Sequence, residues 1–154
     1  MIVALIAFVL AGLKNAQLAQ NQSKATKFAQ EAMDQIKTIR DRNGEIYFTV
    51  SVLPLEILGN FSELFGIQMS GTTYCASSCY FKFDTNGTLV EVEEIDLVQT
   101  NLGDGFKREM IIEDALPLNY EIEKRVIVKI KWADSSGEHE SNIQTILTPV
   151  NWAI

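Results

Sequence analysis

The chain holds a single histidine, His139, and two cysteines, Cys75 and Cys79. His139 lies between Glu138 and Glu140 in a stretch that reads as a hairpin turn, with no second histidine or cysteine at ligand spacing. A side chain in that setting is a surface histidine, not a poised base. No Gly-rich phosphate loop, no G-x-S-x-G and no H-E-x-x-H occurs. Carboxylates are plentiful, as at Glu91, Glu93, Glu94 and Asp96, on the wet side of a strand and beyond it. Glu93, Glu94, Asp96 and Asp104 are hard oxygen ligands of the kind calcium takes, but their spacing fits no calcium loop. The expectation is a protein with no catalytic residue set, no metal, no cofactor and no small-molecule substrate.

The cysteines stand at C-x₃-C spacing with no other soft ligand, which disfavours zinc. Two readings remain. A small-loop disulfide between Cys75 and Cys79 would stiffen the loop before Tyr80 and imply an oxidising compartment. Such a ring is too small to contribute much through chain entropy. The other reading is a pair of reduced thiols. The disulfide is favoured, because the N-terminal helix already points outside the cytoplasm.

Whatever this chain does must therefore be done by its surfaces, and the elements come next. Residues 2–13 (IVALIAFVLAGL) are apolar on every face of a helix, which requires burial in protein or lipid. From Lys14 the pattern turns one-sided. At 100° per residue, Leu18, Ala25, Phe28, Ala29, Ala32, Met33, Ile36 and Ile39 share one arc, and Lys24, Lys27, Gln30, Glu31, Asp34, Lys37 and Asp41 oppose it. One helix to about Asn43 would be roughly 60 Å long, about twice the width of a small domain. The amphipathic half can lie on a domain, and the apolar half must project beyond it. Gly44, with Lys37, Arg40 and Arg42 before it, marks the helix end. Gly12 permits a bend or a close contact, and Ala4, Ala7, Ala11 and Gly12 suit packing against neighbouring helices.

Beyond the helix the chain reads as strands. Residues 45–52 (EIYFTVSV) form one, ended by Pro54. Residues 55–69 read either as a short helix or as a loop packed on the core, since Leu55, Leu58, Phe61, Leu64 and Phe65 recur at helical spacing but Gly59 and Gly66 interrupt. Residues 80–83 and 88–92 flank an Asn86–Gly87 hairpin signal. Residues 106–113 form a strand. Residues 123–133 alternate, with Val126, Val128, Ile130 and Trp132 facing one way and Arg125, Ile127, Lys129 and Lys131 the other. Residues 140–147 return after the turn at 134–137. The prediction is an α+β fold of one long helix over an antiparallel sheet of four to six strands. The domains are residues 1–44 (apolar 2–13, amphipathic 14–43) and residues 45–154, an antiparallel β domain. The sheet's dry face is covered by Leu18, Phe28, Ala32, Met33, Ile36 and Ile39.

Charge divides along the same line. Residues 1–44 carry six basic and three acidic side chains, and the rest carry seven and seventeen. An acidic β domain argues against a phosphate-tracking surface, so no nucleic acid is expected. The 12-residue apolar run falls short of the about 20 that span a bilayer. With no charged start region and no A-x-A site it is not an intact secretory signal. It reads either as a truncated membrane segment or as an N-terminal plug in a larger assembly.

Residues 25–41 (ATKFAQEAMDQIKTIRD) resemble the helix of type IV pilins and pseudopilins, in particular the PilV-like group of minor pilins. Residues 126–132 (VIVKIKW), the turn at Gly137, residues 145–147 (TIL) and Asn151–Trp152 are similar to that group's C-terminal stretch. Residues 45–105 carry no such likeness. The resemblance implies a long N-terminal helix packed by its second half on an antiparallel sheet. It implies storage in the inner membrane, then assembly with other pilin subunits into a surface filament with a core of apolar helix halves. Filament or membrane packing falls to Ile2, Val3, Leu5, Ile6, Phe8, Val9, Leu10 and Leu13. Family precursors carry a short basic leader ending in Gly, cut before Phe or Met, then a glutamate within the apolar segment. Neither occurs here, so the expectation is that the sequence starts part-way into that segment, about ten residues of a span of about 20 lying upstream. Two rivals are a pseudopilin of a type II secretion system and a membrane-stalked adhesin or ligand-binding module with a concave aromatic patch at Tyr74, Tyr80 and Phe81.

Overall fold

The computed structural model describes residues 2–43, 47–52, 55–60, 68–69, 72–73, 78–92, 100–114 and 123–148. One helix, α1 (Ile2–Asn43), runs unbroken for 42 residues. At 1.5 Å per residue that is about 63 Å. Arg40 and Arg42 occupy its last turn, where cations complement the exposed carbonyls.

Ten strands follow: β1 (Tyr47–Val52), β2 (Leu55–Asn60), β3 (Gln68–Met69), β4 (Thr72–Thr73), β5 (Ser78–Phe83), β6 (Leu89–Val92), β7 (Thr100–Gly103), β8 (Phe106–Asp114), β9 (Lys124–Asp134) and β10 (Gly137–Leu147). The main sheet has the order β10-β9-β8-β5-β6-β1-β2. Its neighbours are antiparallel except β1 and β6, which meet in parallel at Thr49 and Val90. One edge of β8 serves two strands in turn, β7 beside Phe106–Arg108 and β5 beside Met110–Glu113. β3 and β4 form a separate two-stranded ribbon. The fold is α+β, with one long helix on a largely antiparallel sheet.

Three features depart from the sequence reading. Residues 55–60 are a strand paired with β1 from Val52–Leu55 to Tyr47–Asn60, and Gln68–Met69 lies in the small ribbon, so the helix-or-loop reading of residues 55–69 fails there. A weak helical period broken by Gly59 loses to a ready sheet edge. Residues 100–103 form β7, which the sequence reading left out. Its turn holds Gly103, Asp104 and Gly105 at φ of 85°, 51° and 78°, left-handed values that glycine and aspartate tolerate best. The strand count accordingly exceeds four to six.

The core lies between α1 and one face of the sheet. Ala25, Ala29, Ala32, Met33 and Ile36 are buried from the helix. From the sheet come Cys79, Phe81, Leu89, Phe106, Met110, Ile112, Val126, Val128, Ile130, Trp132 and Leu147. Leu18, Phe28 and Ile39 pack on this cluster while partly exposed. Three alanines on the docked stripe let the helix approach closely, and each large aliphatic buried there contributes about 1.5–3 kcal/mol. Along β9 burial alternates residue by residue, with Val126, Val128, Ile130 and Trp132 inward. Lys124 continues the inward row and is wholly buried, which the alternation did not flag. The opposite face carries cross-strand ion pairs, Lys131 Nζ donating to Glu109 at 2.9 Å and Arg125 to Glu113 at 3.0 Å.

Candidate functional site

The helix stripe that grips the sheet fades at Leu18, and no described residue covers what precedes it. Ile2, Val3, Leu5, Ile6, Phe8, Val9, Leu10 and Leu13 are between 50% and 81% exposed. None of them folds back onto the sheet. A Cβ added at Gly12 would meet no atom within 4 Å, so the helix face at Gly12 is open. The apolar run of 12 residues is shorter than a span. The helix, however, continues past it with Lys14 as the single charge before Lys24. By length and composition, α1 is long and apolar enough to cross a membrane.

Where the helix meets the sheet, aromatic rings form a chain from α1 to β10. Phe28 meets Phe106 edge-on at 5.6 Å, Phe106 lies 5.7 Å from Trp132, and Trp132 stacks on His139 at 5.3 Å and 22°. Beside it Lys24 Nζ reaches Asp104 at 3.3 Å, tying the helix to the β7–β8 turn. Arg108 lies over the Phe83 ring at 5.1 Å. Burial lowers its pKa, and Glu31 partly offsets that. Of these contacts, Phe28–Phe106 and Lys24–Asp104 join α1 to the sheet.

His139 is half-buried against Trp132, not a free surface side chain as the sequence implied. Its Nε2 lies 3.0 Å from Asp134 Oδ1 and 3.1 Å from Ser136 Oγ. The Ser136 hydroxyl, the Ser136 backbone N–H and His139 together hold the Asp134 carboxyl down at about 2. Histidine, serine and aspartate side by side invite comparison with a hydrolase triad. A triad places acid and hydroxyl on opposite ring nitrogens. Here both converge on one nitrogen, so the set clamps the β9–β10 turn instead of activating a nucleophile. The missed signal was positional: His139 is cross-strand partner to Trp132, which the hairpin register determines.

The remaining sequence candidates fall as follows. Cys79 is buried and disulfide-bonded, and Cys75 lies outside the described residues. Glu93, Glu94 and Asp96 also lie outside them, while Asp104 is engaged by Lys24. Among the described residues no three potential ligands cluster. The aromatic patch does not form as drawn: Phe81 is buried in the core, its neighbour Tyr80 points to the other face of β5, and Tyr74 lies outside the described residues. Among the described residues, two open cavities stand out. One, of about 500 Å³, is rimmed by Gly105, Lys107, Lys131, Trp132, Glu138 and His139 at the hairpin ends. The other, of about 520 Å³, lies between α1 at Asp34, Thr38 and Arg42 and the β5–β6 turn at Gly87. Comparison with protein-family models, with curated proteins and with solved structures found no match.

Proposed function

We propose that this chain is a non-enzymatic subunit of a type IV pilus-type filament, held in a membrane before assembly and packed through the bare half of α1 afterwards. The observation that carries the reading is an unbroken helix whose apolar residues 2–13 are exposed while its second half packs on a folded head. A soluble monomer does not tolerate such a rod. Burying the exposed remainder of each large side chain is worth on the order of 1–2 kcal/mol. Association costs roughly 4–15 kcal/mol, so eight such side chains suffice only when several neighbours share them. That favours a bundle over a simple pair. The likeness of residues 25–41, 126–132, 145–147 and 151–152 to minor pilins points the same way.

The test uses the full chain in cells that assemble it. Ile6→Lys or Val9→Asp is expected to abolish incorporation into filaments and to leave the head folded, read by immunogold labelling of sheared filaments and by thermal melting. Normal incorporation of either variant overturns the reading.

A further inference from the structure

Between the apolar rod and the docked half lies a segment in which Leu18 packs on the head while its polar side chains serve neither role. Residues 15–23 (NAQLAQNQS) contain no charge and five side-chain amides, Asn15, Gln17, Gln20, Asn21 and Gln22. Lys14 and Lys24 bracket them, and the docked half beyond is densely charged. Asn15, Gln17, Gln20 and Gln22 are exposed and Asn21 is half-exposed. Among the described residues none of the five amide side chains has a partner within the chain. The same helix further on holds itself with Lys27–Glu31 and Lys37–Asp34 pairs. Leu18 packs on the head's core, while the exposed amide face of the segment lacks such pairs and is open to a partner. Asparagine, a poor helix former, adds to the case for one.

We infer that residues 15–23 form a neutral amide collar that receives Lys14 of a neighbouring copy and so sets the axial stagger between copies. This rests on the filament reading. Parallel copies that bury residues 2–13 against one another must be offset by less than the rod's length, about 18 Å. At zero offset Lys14 meets Lys14, and at ten residues it meets Lys24; both are like-charge contacts. Between those limits, about 1.5–13.5 Å, Lys14 lies beside the collar. There its ammonium donates to asparagine and glutamine carbonyl oxygens, and the amide N–H groups of one copy donate to the carbonyls of the next. The collar thus gives a second, polar zone continuous with the rod, where a second copy meets amides with amides and Lys14 with carbonyl oxygens. Acyl chains offer amides nothing, and a folded acidic partner would leave the collar without charges to meet.

The experiment uses the full chain, in phosphatidylcholine vesicles for coupling and in density-matched detergent micelles for sedimentation. In Gln22→Glu the introduced carboxylate is eight residues from Lys14, out of its reach within one helix. Carbodiimide is expected to join Lys14 of one copy to position 22 of another, seen as a dimer and a mapped peptide, and Lys14→Gln is expected to remove the link. Gln17→Lys with Gln20→Lys is expected to weaken self-association by about tenfold or more. If Gln22→Glu associates but gives no interchain link, and the double lysine variant sediments as the unsubstituted chain does, the collar is overturned and the filament reading stands. If the unsubstituted chain is monomeric in both settings, the filament reading falls and the collar with it.

Discussion

The two halves of α1 share a backbone and an abundance of apolar side chains, yet they meet opposite fates. From Ala25 to Ile36 the apolar side chains share one arc and vanish into the sheet, with charges on the far side. Residues 2–13 carry apolar side chains on every arc, and all the large ones stay exposed. The difference is periodicity, not hydrophobicity. A stripe has one partner surface and finds it in its own chain. A rod greasy all round needs partners on every side, and a single sheet cannot supply them.

The sharpest way to break that contrast is the same truncation in each half. Ile36 is wholly buried, so Ile36→Ala is expected to destabilise the head by about 2–5 kcal/mol. Ile6 is 52% exposed, so Ile6→Ala is expected to change head stability by no more than about 0.5 kcal/mol. Chemical denaturation of both variants in detergent checks this. Equal losses would mean that the rod is part of the head's cooperative unit.

A smaller effect tests whether the head is held by its own devices. The Asp134 carboxyl titrates at about 2 in the folded chain, against about 3.9 when unfolded. Because the folded value is the lower, the turn clamp contributes fully above about pH 4 and is lost as pH falls through 2. Asp134→Asn is therefore expected to lower the melting temperature at neutral pH, with the gap to the unsubstituted chain closing as pH approaches 2. Melting curves across that range check it, and a gap independent of pH would remove the clamp from the account.

What the sequence made legible follows from the same physics. The helix, its change of character at Lys14 and the inward row of β9 were readable because period and burial coincide there. β2 was not, because a six-residue strand bearing Gly59 has no period of its own and is defined by pairing with β1. β7 escaped for a similar reason, although Asp104–Gly105 carried the hairpin signal. His139 was misread because composition places a histidine flanked by glutamates on the surface, whereas cross-strand register sets it on Trp132. The rival reading's aromatic patch fails at Phe81 because neighbours on a strand face opposite ways, so Tyr80 and Phe81 cannot share one surface. The exposed rod was legible from helix length alone, since no head of this size reaches its tip.

The smallest effect probes the border between the halves. Lys24 meets Asp104 at 3.3 Å, with side chains 43% and 76% exposed, and it is the first charged anchor after the collar. An ion pair that open is worth at most about 0.5–1 kcal/mol and is screened by salt. Lys24→Ala is therefore expected to leave the melting temperature nearly unchanged at physiological salt. Its informative readout is geometric. With Phe28 still on Phe106, the helix should keep its angle to the sheet, and electron-spin distances from the rod to the β7–β8 turn should keep their mean. A broadened distance distribution would mean that the ion pair, and not the aromatic contact, aims the rod.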